Sequence, residues 1–219
     1  MAPGLIWIKI KVFLAVTGTL LASTLLGASA SEVLSIDAAI AKGNIQAVQT
    51  LLAENPETIQ RGTHPRLSPL SQAIMRKREK IALLLIESGA NANAVDPSQR
   101  TPLHLCVERD LPVVAAALLK AGADADRHDK VGWTPLHHAA AKNRLELTKV
   151  LLKGGANPSV LSREGGTALH EAAVKGSVAL VELLIAAGIE TSTRAANGKT
   201  ALDLARAYKN TAVIPLLSR

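Results

Sequence analysis

Apolar positions recur along most of this chain in short, helix-spaced groups separated by turns. Leu103, Cys106 and Val107 lie at i, i+3 and i+4, the spacing that lines one face of a helix, and Leu136, Ala139 and Ala140 repeat it. A second apolar group, Val114, Ala115, Leu118 and Leu119, follows the first and predicts the buried face of another helix. Runs of β-branched residues at strand period are scarce, so a sheet protein is not expected. The pattern predicts pairs of short helices whose apolar faces pack against neighbouring pairs.

The pairs return at a fixed interval. Ser68-Pro69-Leu70, Thr101-Pro102-Leu103-His104, Thr134-Pro135-Leu136-His137, Thr167-Ala168-Leu169-His170 and Thr200-Ala201-Leu202 start 33 residues apart without exception. Gly89-Ala90-Asn91, Gly122-Ala123-Asp124, Gly155-Ala156-Asn157 and Gly188-Ile189-Glu190 each fall 21 residues after the Ser or Thr. Each marker has a physical role. The hydroxyl of Ser or Thr accepts a backbone N–H as a helix N-cap. Proline is harmless at the first helical position, where its missing N–H has no partner to lose. Gly122 is expected to end the second helix in the left-handed conformation. Ala123 to Trp133 is then a projecting turn with Gly132 at its bend.

A period of 33 with a Thr-Pro-Leu-His core resembles the ankyrin-repeat family, over roughly 85% of the chain from about Leu34 to the C-terminus. The resemblance implies an all-α repeat solenoid, a stack of helix-turn-helix units with projecting hairpin turns. Six ankyrin-type repeats are expected across 31–219, starting near 34, 68, 101, 134, 167 and 200. The first copy lacks the Thr-Pro-Leu-His core. Its Asn55 stands where glycine would end the second helix and is expected to take the left-handed conformation. In the last copy Lys209 replaces the usual glycine of the inter-helix turn and Ser218 an apolar residue. Polar ends are what a solenoid requires, because its end repeats have no outer neighbour.

Residues 1–30 have a different layout: Lys9 and Lys11, an apolar stretch from Val12 to Leu26, then Ala28-Ser29-Ala30. This is the layout of a secretory signal peptide cleaved after Ala30, which leaves Ser31 as the mature N-terminus. The apolar stretch of about 15 residues falls short of the roughly 20 that span a bilayer. A bacterial export type is expected, with a periplasmic or secreted location. The alternative is a membrane-tethered scaffold with an uncleaved N-terminal anchor. Cys106 is the only cysteine, so no intramolecular disulfide forms.

Composition narrows the function classes. Aromatics are 2% of the chain, and only Trp133 and Tyr208 lie beyond the leader, so the core is aliphatic. The net charge of +7 becomes +5 once the two leader lysines are removed, a modest excess that favours an acidic partner. Nucleic acid is not expected: export removes the usual targets and stacking aromatics are few. No phosphate loop, nucleophile elbow or paired-cysteine motif is present, so an enzyme is not expected. Cys106 replaces the alanine of other copies and reads as a buried thiol.

Six histidines raise the question of metal. His104, His137 and His170 occupy one column, one per repeat, at neighbour spacings of about 8–10 Å. Ligands of a single zinc each reach within about 2.1 Å of it, so the column does not converge on one ion. His137 and His138 point roughly 100° apart on a helix. No metal or cofactor is expected. In the family resembled, this histidine bridges backbone groups of adjacent turns.

A second column carries charge. Eight residues on from each repeat start stand Lys42, Arg76, Arg109, Lys142, Lys175 and Tyr208. In ankyrin-like stacks this position lies near the inner, concave face that contacts partners; a solvated face is the alternative. Trp133 precedes Thr134 at a turn tip, either exposed as an anchor or folded over the neighbouring turn. The expected function is an exported protein–protein interaction module, an adaptor, helper or inhibitor. It would act as a monomer, with no membrane contact after signal cleavage.

Overall fold

The computed structural model describes residues 35–218 apart from 62, 63 and 65. The predicted leader, its cleavage after Ala30 and the repeat start at Leu34 lie outside the described residues. The helices come in pairs: α1 (Ile36–Lys42) and α2 (Ile45–Glu54), α3 (Pro69–Met75) and α4 (Glu79–Glu87), α5 (Pro102–Arg109) and α6 (Pro112–Lys120). Then follow α7 (Pro135–Ala141) and α8 (Leu145–Lys153), α9 (Ala168–Lys175) and α10 (Val178–Ala186), and α11 (Ala201–Ala207). A 3-10 turn over Thr211–Val213 leads from α11 into α12 (Ile214–Leu217). Each first helix packs on the next first helix, and each second helix on the next second one as far as α10, which meets the 3-10 turn, giving two layers. No strand occurs among the described residues. None of their helices is long and apolar enough to cross a membrane. This is the all-α repeat solenoid expected.

The repeated markers act where their chemistry places them. Ser68 Oγ accepts from the Ser71 N–H at 3.2 Å and Thr200 Oγ1 from the Asp203 N–H at 3.2 Å. Leu103 and Leu169 are wholly buried in the first layer, as are Leu85, Leu118, Leu151 and Leu184 in the second. Leu119 departs from expectation and is only half-buried. It lies across Gly154 of the next pair, where an added Cβ would come within 2.4 Å of its Cδ1.

The glycines after the second helices are left-handed as predicted, with φ of 89° at Gly89, 85° at Gly122, 95° at Gly155 and 92° at Gly188. Asn55 corrects the expectation for the first copy. Its φ of −143° and ψ of 89° are not left-handed, and its side chain instead accepts from the Glu57 N–H to cap a 3-10 turn over Pro56–Ile59. The cause is Pro56, whose ring drives the preceding residue toward extended backbone. Between paired helices the left-handed position is held by Gly43, Lys77, Asp110, Asn143 and Lys209. The corresponding Gly176 is extended instead, at φ −69°, and Ser177 then caps α10.

The projecting turns close on themselves and on each other. Within turns, Asp96 N–H donates to the Arg100 carbonyl, Asp129 to Trp133, Ser162 to Gly166 and Ala195 to Lys199, at 2.7–3.1 Å. Between turns, Lys130 N–H donates to the Ser98 carbonyl (2.9 Å), Arg163 to Gly132 (3.0 Å) and Ala196 to Glu164 (2.8 Å). Gly132 has φ 88°, and a Cβ on it would sit 2.3 Å from Arg163 Cβ, so only glycine fits this crossing.

Candidate functional site

The histidine column is built from the helix starts. The Thr101 N–H donates to His104 Nδ1 at 3.1 Å, Thr134 to His137 at 3.3 Å and Thr167 to His170 at 3.1 Å. Nδ1 is therefore the acceptor, and Nε2 carries the proton. That Nε2–H reaches across to the next turn, to the carbonyl of Trp133 (3.1 Å), Gly166 (3.1 Å) or Lys199 (3.3 Å). Each histidine joins its own helix cap to the following repeat, the bridging role the resemblance implied. Burial opposes a charged ring, outweighing the carbonyl bond, and lowers His104 and His137 to about 4. His170 is lowered for the same reasons.

His104 has additional neighbours that sequence spacing did not reveal. His138 Nε2 lies 2.8 Å from Asp129 Oδ2, and the rings of His104 and His138 meet edge to face with centroids 5.5 Å apart. One ligand atom from each of His104, Asp129 and His138 lies within 4.8 Å of the other two. Asp129 is held by its other oxygen, which accepts from Val131 N–H and Trp133 N–H at 3.0 Å each. Burial alone would raise its carboxyl, but the Trp133 N–H and the His138 ring outweigh burial and hold it below the usual range.

Trp133 is half-buried, folded against helix α7: its ring meets His138 at 5.0 Å and His137 at 6.4 Å between centroids. These ring contacts place Trp133 on the helix that it precedes, not free at the turn tip.

The charged column falls on one structural position. Lys42, Arg109 and Lys175 are the last residues of α1, α5 and α9, and Arg76, Lys142 and Tyr208 cap the C-termini of α3, α7 and α11. Because first helices pack in order, these residues form a row. All are exposed except Arg109, which is half-buried with Nε enclosed and unpartnered. Tyr208 is 62% exposed. Among the described residues none of the five cations is in an ion pair, whereas Arg144 pairs with Asp110 at 2.6 Å and Arg100 with Asp96 at 2.8 Å. Cations at helix C-termini also gain about 0.3–1 kcal/mol each from the helix dipole. Cys106 is buried, and burial pushes its thiol well above the usual range.

A further ladder links the segments that follow the second helices. Gln60 Nε2 donates to the Gly89 carbonyl while its Oε1 accepts from Asn91 N–H; Asn93 does the same with Gly122 and Asp124. At the next rung Asp126 only accepts, from Asn157 N–H at 3.0 Å. Burial raises the Asp126 carboxyl, against the lowering by that N–H.

A family model described as ankyrin repeats in three copies matches residues 35–129 and 113–195. No curated protein matches the chain.

Proposed function

The chain belongs to the ankyrin-repeat family, and on that premise we propose that it is an exported module that binds a protein with an acidic surface along the row of first-helix C-termini. The observation that carries this reading is the row itself: Lys42, Arg76, Lys142 and Lys175 are exposed, regularly placed and outside any ion pair among the described residues. Repeat spacings near 10 Å compare with a Debye length of about 8 Å at physiological salt, so neighbouring fields overlap at their edges. Such a row steers an acidic surface and accelerates association more than it deepens affinity. Tyr208 at the end of the row and the accessible part of Trp133 add apolar contact. The module acts as adaptor, helper or inhibitor and carries out no chemistry of its own.

The test has two arms. Mass spectrometry of the chain from an exporting host is expected to find Ser31 at the N-terminus; retention of residues 1–30 would favour a tethered scaffold. For the surface, Lys142→Glu with Lys175→Glu is the informative pair, because both side chains are exposed whereas Arg109 is half-buried. The pair is expected to slow association with an acidic partner captured by the wild-type chain and to flatten its salt dependence. Unchanged association at low salt would sink the proposed face.

A further inference from the structure

We propose that His104, Asp129 and His138 form a binding site for a divalent transition metal ion of the zinc type, which clamps two successive repeats together. The site joins three elements: His104 on α5, Asp129 in the turn that follows α6, and His138 on α7. Their ligand atoms already lie within 4.8 Å of one another. Ligands about 2.1 Å from a tetrahedral ion stand about 3.4 Å apart, so side-chain adjustments of about an ångström suffice. Two imidazoles and one carboxylate suit zinc, cobalt or nickel, whereas calcium and magnesium take oxygen ligands. Two protein nitrogens and one oxygen leave a position for water. His138 keeps 22% of its side-chain surface exposed while Asp129 keeps 5%, so the trio is not wholly enclosed.

Asp129 can turn to an ion without losing its backbone support, whereas His104 gives up its cap bond from the Thr101 N–H. Asp129 is anchored through Oδ1 by two backbone N–H groups, and Oδ2 faces His138. The ion takes the place of the proton between His138 Nε2 and Asp129 Oδ2, and His138 binds as a neutral ring with its proton on Nδ1. His104 requires a change of tautomer. Its Nδ1 lies 2.9 Å from Thr101 Oγ1, which can accept an Nδ1–H in place of the bond that Nδ1 accepts from the Thr101 N–H, and Nε2 then offers its lone pair to the ion. The Trp133 carbonyl released by this change keeps the Asp129 N–H at 2.9 Å.

The repeat supplies its own controls. The corresponding trios at the 33-residue period are Ser71, Asp96 and Leu105; His137, Ser162 and Glu171; and His170, Ala195 and Leu204. His137 and His170 bridge as His104 does, but neither has both an aspartate and a second histidine at these positions. The ligand set is thus not a by-product of the bridging histidine.

The test is titration of the full chain, freed of metal by a chelator, with Zn2+ followed by calorimetry and with Co2+ followed by its visible absorption. One strong equivalent of Zn2+ per chain is expected, with Co2+ bands of low-symmetry coordination. His138→Leu gives this position the residue that Leu105 already supplies one repeat earlier, and Asp129→Asn keeps the oxygen that accepts from the turn. Each is expected to weaken Zn2+ binding by at least about ten-fold while circular dichroism stays wild-type, and His128→Ala is expected to leave binding unchanged. Zinc should raise the wild-type unfolding midpoint and leave that of either variant in place. Failure of the wild-type chain to bind Zn2+ below millimolar concentrations, or binding that survives His138→Leu, would overturn the proposal. If one variant does not fold, the other decides.

Discussion

Helices α9 and α11 begin alike and secure their first turns differently. Both open with threonine, but the third helical residue is His170 in one and Asp203 in the other. Asp203 takes the Thr200 N–H and hydroxyl at 2.9 Å each, so it closes its own cap as well as histidine does. His170 also donates from Nε2 to the Lys199 carbonyl in the following turn. A carboxylate has no proton to donate, so it cannot make that second bond. Capping a helix and coupling it to the next repeat are separate tasks. Histidine performs both because its two ring nitrogens face opposite ways, one accepting and one donating. Aspartate performs the first task alone.

The contrast between interior and end can be broken most strongly in the second layer. Leu118 is wholly buried on α6, between α4 and α8, whereas Leu217 lies on the short α12 at the end of the stack. Leu118→Ala is expected to cost about 2–5 kcal/mol in denaturant unfolding and to weaken the whole array, since each repeat is supported by its neighbours. Leu217→Ala should cost distinctly less. Equal costs would mean that the array does not distinguish interior from end.

Acid separates the two kinds of cap. His104 and His137 fall from 6.5 to about 4 on folding, so between those values the unfolded chain binds more protons than the folded one. Their contribution is complete above pH 6.5 and is lost as pH falls toward 4, up to roughly 3 kcal/mol for each. Asp203 is also lowered, chiefly by the Thr200 N–H, so its contribution is present above its unfolded value of 3.8 and disappears only below that. Thermal unfolding in metal-free buffer should therefore weaken first through the histidine window. His137→Ala should shrink the loss across that window, leaving the share of His104, and Asp203→Ala should leave it intact.

The smallest expected effect comes from the same lack of a donor at another rung. Gln60 and Asn93 give an N–H to a glycine carbonyl, and the Asp126 carboxylate has none to give. Asp126→Asn supplies the donor and is expected to stabilise the fold by about 0.5–1.5 kcal/mol. No gain in a denaturant titration at neutral pH would show that the Gly155 carbonyl is satisfied by water.

Much of this architecture was legible because the repeat writes each requirement in the same place. Threonine before proline marked the caps, and glycine 21 residues on marked the left-handed ends. Less legible were features that depend on a neighbour. Asn55 was misread because Pro56 overrides its tolerance for left-handed backbone. Lys77, Asp110, Asn143 and Lys209 adopt positive φ without being glycine, held by the geometry of the paired helices. The basic row was visible as a spacing, but its position at helix C-termini required the fold. The meeting of His104 with Asp129 and His138 has no signature along the chain. It arises because one turn folds back over the next helix, bringing together residues 25 and 34 positions apart.

Near their tips, successive turns are joined through backbone atoms, from Lys130 to Ser98, Arg163 to Gly132 and Ala196 to Glu164. Apart from Gly132, such bonds are indifferent to side-chain identity. Val131, Glu164 and Asn197 at the tips are exposed. The protein therefore separates what must be preserved from what may drift. Mutation can explore the tips residue by residue while the alignment of the stack stays fixed, so new recognition can evolve there without first solving the folding problem again.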